Sequence, residues 1–202
     1  MCCDAARLDA GLGKIMKKVL IVLAAVFSLA GCQTNPPINF SVPNVGYSKK
    51  KIEAELKSMT VSIARADEKT GNLPAGMEML VPQLWQASLQ ESINKMAIFK
   101  DDMPTKVNLS VKILKLDIPG AGASFTTGAS ARYEITDRKN GDVIYTQDIN
   151  STGTVPFDYA FIGLVRMRES VNRAVQNNIT QFLQALETVD ASKPMFPTVS
   201  SR

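Results

Sequence analysis

The sequence predicts an α+β domain of two layers, a mostly antiparallel four-stranded sheet with two helices packed on one face, in the order β-α-β-β-β-α. Three observations carry that prediction. Four stretches alternate apolar with polar residues, the period of a half-buried strand. Two others repeat apolar residues at i+3/i+4 spacing, the period of a helix with one buried face. Between two of the alternating stretches stands Asn140-Gly141, a strong hairpin signal because tight turns need residues that tolerate positive φ.

The folded region, 47–187, is expected to begin near Tyr47. Met59, Val61 and Ile63 alternate with Thr60 and Ser62 as a first strand, and Asp67–Leu80 follows as a loop carrying Gly71, Pro74 and Gly76. Pro82 suits the first turn of a helix, where its missing N–H costs nothing, and Leu84, Trp85, Leu89, Ile93 and Met96 give that helix an apolar face through about Ala97. Val107, Leu109, Val111 and Ile113 form a second strand; after a Pro119–Ala123 break, Ser124–Asp137 and Asp142–Thr154 flank the hairpin. Val171, Ala174, Val175, Ile179, Phe182 and Leu186 define the last helix. The tail, 188–202, loses the pattern, holds Pro194 and Pro197, and is expected to be disordered. Two helices on one sheet face bury both apolar stripes, while Lys112, Arg132 and Glu134 fall at outward positions and leave the other face partly wet.

The amino-terminal region has a different character. Met16-Lys17-Lys18 precedes the apolar run Val19–Ala30, which closes as Leu29-Ala30-Gly31-Cys32, the order of a bacterial secretory signal. The run falls short of the roughly 20 apolar residues that span a bilayer, so removal suits it better than service as an anchor. Met1–Ile15 fit a signal badly, with Asp4 and Asp9 ahead of a region that should be positive, and initiation at Met16 is expected. The Leu-Ala-Gly-Cys ending resembles the lipobox of bacterial lipoproteins. That resemblance implies cleavage between Gly31 and Cys32, loss of residues 1–31, a diacylglycerol on Cys32 and acylation of the new amino terminus. At about 0.8 kcal/mol per buried methylene, two chains already anchor a protein stably.

The processed chain would hold 202 − 31 = 171 residues, enough for one core. Its basic residues fall from 23 to 19 and its acidic ones from 19 to 17, so the net charge drops from +4 to +2. Gln33–Gly46, with Pro36, Pro37 and Pro43, reads as an extended tether that at about 3 Å per residue would reach some 40 Å from the lipid. Residue 33 is Gln; in enteric-type lipoproteins an aspartate there retains the protein in the inner membrane, so Gln33 resembles an outer-membrane destination. Lipobox, tether and one small α/β domain together resemble small periplasm-facing auxiliary lipoproteins, of the LPS-assembly and ABC-transport types. The resemblance implies a non-catalytic accessory role with an envelope protein as partner.

The chain has no histidine, and an acylated Cys32 leaves no free thiol once Cys2 and Cys3 depart with the signal. This excludes Ser-His-Asp and Cys-His catalysis, internal disulfides, and zinc sites with histidine or thiolate ligands. No cofactor and no nucleic-acid partner are expected, since Lys49-Lys50-Lys51 is the one dense basic run and reads as solvated. Ser48–Lys51 and Ser92–Lys95 match S-x-x-K and Lys69-Thr70-Gly71 matches K-T-G, but the Ser-Asp-Asn element of penicillin-binding folds is absent. Ser92 and Lys95 are expected to face solvent. Gly120–Ser124 reads as a flexible connection, and Asp67-Glu68 with Asp101-Asp102 as solvated acids.

Pro156–Leu164 is the most unusual segment, with three aromatic and two aliphatic residues among nine in a connection. Loops are normally polar because their backbone must be solvated. Either the segment folds back to plug the end of the core, or Phe157, Tyr159 and Phe161 anchor a docking surface whose opposite lip is Met77–Val81, with Met77 and Met79 as adaptable contacts. The resulting expectation is a lipid-anchored, non-catalytic accessory protein on the periplasmic face of the outer membrane. The alternatives are a carrier of lipid or another apolar ligand, with a pocket between helices and sheet, and more distantly a hydrolase or transferase.

Overall fold

The computed structural model describes residues 37–73 and 75–196; the expected signal and lipobox, with Gly31 and Cys32, lie outside the described residues. Strand β1 (Glu55–Ile63) leads to helix α1 (Leu80–Met96), then to β2 (Lys106–Asp117), β3 (Phe125–Asp137), β4 (Val143–Val155) and helix α2 (Gly163–Leu186). The sheet order is β1-β2-β3-β4. β1 pairs parallel with β2, as a β-α-β crossover requires, and the other two pairings are antiparallel. The expected α+β layout is the one observed.

The alternation of each strand sorts its side chains. Val107, Leu109, Val111, Ala129, Ala131, Tyr133, Ile135 and Ile149 are buried toward the helices, where Trp85, Leu89, Ile93, Val175, Ile179 and Phe182 meet them. The opposite face is polar and open, as Lys112, Arg132 and Glu134 suggested. There Arg132 holds Asp148 by two hydrogen bonds of 2.6 and 2.8 Å, and that contact keeps the Asp148 carboxyl below its ordinary range. Lys112 sits opposite Arg132 in the ladder and is balanced by Glu68 at 2.7 Å, which brings the Glu68 carboxyl down to about 2.

A polar ladder joins α2 to the sheet inside this core. Trp85 Nε1 donates to Tyr133 Oη, which donates to Asn178 Oδ1; Asn178 Nδ2 donates to the Ile149 carbonyl and Ser151 Oγ, and Ser151 donates to the Ala174 carbonyl. Every member is paired, the condition under which buried polar groups are tolerated. Helix and strand touch most closely at Gly153. A Cβ there would lie 2.3 Å from the backbone of both Ser170 and Ala174, so only glycine fits.

Two segments depart from expectation. The extended tether expected over 33–46 belongs to the fold from Pro37 on. Phe40 is 0% exposed and meets the Trp85 ring edge-on at 6.2 Å, with Val42 buried beside it. Asn39 N–H donates to Asn172 Oδ1, Asn172 Nδ2 to the Pro37 carbonyl, and Gln176 Nε2 to the Asn39 carbonyl. This strap runs along α2 and fills the groove between helices that touch each other little. The tail is likewise docked as far as Phe196: Val189 is buried, and Met195 and Phe196 donate backbone N–H groups to the Val143 carbonyl. That pairing covers the start of the edge strand β4, where free backbone groups would otherwise remain.

The lysine triplet has a structural task. Lys50 Nζ donates to the Glu187 carbonyl at the end of α2, and Lys51 Nζ donates to the Ala97 carbonyl at the end of α1. Each ammonium thus satisfies the negative pole of a helix.

Candidate functional site

The strand directions bring three connections to one end of the sheet. β1 and β2 end there, β3 begins there and β4 ends there, so residues 64–79, 118–124 and 156–162 gather with the amino termini of both helices. The hairpin of Asn140-Gly141 and the end of α1 occupy the other end. The hairpin stands where it was expected, as a five-residue connection in which Gly141 alone takes positive φ (+80°) and Asn140 Oδ1 accepts from the Asp142 N–H.

The side chains of Pro156–Leu164 do not fold back as a plug over the core. Phe157–Tyr159 form a single 3-10 turn, and Phe157 (56%), Tyr159 (47%) and Phe161 (88%) stand largely in solvent with Ile162 and Leu164. Of the ten large hydrophobic side chains exposed among the described residues, seven lie at this end, Met79 and Leu80 included. The other proposed lip residue, Met77, is half-buried and packs on the core, so Met79 stands at this end without it.

Two arginines hold the segment out. Arg166, 4% exposed, donates through Nη1 to the Ala160 and Phe161 carbonyls, and its guanidinium lies 4.9 Å from the Phe157 ring centroid and 5.7 Å from that of Phe125. Arg173 pairs with Glu169 at 2.8 Å, donates to the Thr154 carbonyl and lies 5.1 Å from the Tyr159 centroid. With its 160 and 161 carbonyls bound inward, the backbone projects Phe161 outward. Both arginines belong to the start of α2, which begins eight residues before the apolar period predicted it. Between Gly163 and Ser170 the helix carries Arg166, Arg168 and Glu169 and an exposed Leu164, so no continuous buried stripe announces it.

The remaining sequence candidates fall elsewhere. Ser92 does not face solvent: it is 1% exposed and donates to the Ser88 carbonyl, while Lys95 pairs with Glu91 on the surface. Asp67 and Glu68 meet Arg65, and Gly71 lies against the Lys115 side chain. Burial drives the Tyr133 hydroxyl far above its ordinary range and Tyr145 up to about 12, which keeps both neutral as hydrogen-bonding core groups. The surface clefts of the described residues include one of about 500 Å³ between β4 and α2 lined by Asn150, Thr152, Asn177 and Gln181, one of about 420 Å³ between the strap and α2, and one of about 350 Å³ lined by Glu55, Gln90, Asn94 and Lys100.

No family model matches this chain, and no curated protein matches it. Solved structures are similar to it in varying degree. A Xanthomonas campestris protein of the DUF330 family superposes with a TM-score of 0.51 at 8% identity, over 76% of this chain and 93% of that one. A PelC dodecamer protein from Paraburkholderia phytofirmans gives 0.42 at 13%, over 68% and 92%. A minor lipoprotein of Acinetobacter baumannii gives 0.39 at 11%, over 68% and 97%. At such identities the first likeness is one of fold alone.

Proposed function

We propose that this chain is a lipid-anchored, non-catalytic protein of the bacterial cell envelope, held on the periplasmic face of the outer membrane through Cys32, where it supports a larger envelope assembly by docking. The observation that carries the reading is the exposed apolar end, held outward by Arg166 and Arg173 and joined to a lipobox by a short chain. Among the described residues no helix is long and apolar enough to cross a membrane. The carrier alternative asks for an apolar cavity between helices and sheet; that space is filled by Trp85, Leu89, Tyr133 and Phe182, all at 0% exposure.

Metabolic labelling with a palmitate analogue, followed by separation of inner and outer membranes, tests the anchor. Label is expected on the wild-type chain in the outer-membrane fraction and absent from Cys32→Ser. An unlabelled wild-type chain would overturn it. Crosslinking in intact cells tests the role: a stoichiometric envelope protein is expected, and co-purifying lipid without any protein would favour a carrier.

A further inference from the structure

We infer that the apolar end of the domain seats in the interface of the bilayer that holds Cys32, so that the membrane itself is the first partner of this surface. The inference rests on the anchor proposed above and names what its docking surface meets.

The length of chain outside the described residues, and the place where it re-enters the fold, carry the argument. The strap runs in the same direction as α2. Its later residues lie beside Gln176, Thr180 and Glu187, and its first, Pro37, is held at Asn172. The first described residue, Pro37, is therefore the part of the strap nearest the amino terminus of α2 and the aromatic turn that precedes it. From Pro37 to Cys32 are five residues, which reach at most about 17 Å even when fully extended. From Asn172 to Gly163 are nine helical residues, about 13 Å. An acylated Cys32 would thus keep the bilayer surface within one short reach of Pro37, and the apolar end lies at a comparable distance from Pro37.

The chemistry of the surfaces selects the orientation. The outward side of the helix layer near the strap carries Gln90, Asn94, Gln176, Gln181 and Gln184, and the open sheet face carries Lys112, Arg132, Glu134 and Asp148. The strap side adds one large exposed hydrophobic side chain, Tyr47, whereas seven gather at the end that bears the aromatic turn. That end presents Phe157, Tyr159, Phe161, Ile162 and Leu164, with the Arg173 guanidinium just behind Tyr159. Aromatic and aliphatic side chains backed by cations are the composition of surfaces that rest at the headgroup–acyl boundary. In this pose the open sheet face stands at the side of the domain, in water and free for a protein.

Brominated-lipid quenching tests the pose on the whole processed lipoprotein, reconstituted in phosphatidylethanolamine–phosphatidylglycerol vesicles. Trp85 is the one tryptophan and is fully buried, so it supplies a constant background. The emission gained by Phe161→Trp is expected to be lost in vesicles of brominated lipid, and that gained by Asn140→Trp, at the opposite end, to be retained. A mass spectrum of the same preparation reports the acyl chains on Cys32 independently. Acylated protein whose Phe161→Trp emission survives overturns the pose alone; protein with a bare Cys32 overturns the anchor on which it rests. A photoreactive phenylalanine analogue at position 161 in living cells should give lipid adducts, and a discrete protein adduct would contradict the assignment.

Discussion

Phe40 and Phe161 sit in two irregular segments at either side of helix α2, and their surroundings are opposite. Phe40 is 0% exposed, wedged between the helices against Trp85; Phe161 is 88% exposed, on a turn whose carbonyls are bound inward by Arg166. The strap around Phe40 is polar and proline-bearing, the turn around Phe161 mostly apolar. What separates them is the vacancy each meets. Helices α1 and α2 lie over opposite halves of the sheet and leave a groove that an extended chain fills, whereas the space above the sheet at the other segment is already closed by Phe125, Val155 and the aliphatic part of Arg166. Burial follows the shape of the gap, and the residues left over become surface.

That contrast can be broken in order of effect. Phe40→Ala should remove about 3–5 kcal/mol of stability, read by urea denaturation of the processed protein in micelles, because it opens a cavity in the core. A loss under about 1 kcal/mol would mean that the strap is a tether after all. Gly153→Ala should cost about 1–3 kcal/mol in the same assay, since the new methyl must push α2 off β4. Arg166→Met should cost about 1.5 kcal/mol through its lost charge-assisted hydrogen bonds, and should also free the 157–161 turn, seen as faster amide exchange there and not in the 138–141 hairpin. Phe161→Ala should change stability by no more than about 0.5 kcal/mol while weakening contact with lipid, which separates a docking residue from a packing one.

Regular elements were legible because period two and period 3.6 survive in the sequence: β3 and β4 start and end within a residue or so of their predicted limits, and α1 closes at Ala97 as expected. The strap also carries a period-two signal, which its prolines mask. Ile38, Phe40 and Val42 alternate with Asn39 and Ser41, the mark of an extended chain buried on one side. The early turns of α2 left no such mark, because Leu164 is exposed and the buried positions hold Arg166 and Ser170 beside a single apolar residue, Val165. The roles of Lys50 and Lys51 were not legible at all, since each depends on a helix terminus far away in the chain. At the candidate site the apolar composition of Pro156–Leu164 was visible, but its exposure depends on Arg166, which lies in the next element.

Neutron reflectometry of the acylated protein on a supported bilayer measures the central claim directly, as the thickness of water between the headgroups and the protein layer. With the fold starting at Pro37 and its apolar end seated in the lipid, the protein layer should begin at the headgroups with no resolved gap. A hydrated layer of about 40 Å, the reach of a free 14-residue tether, would contradict the account.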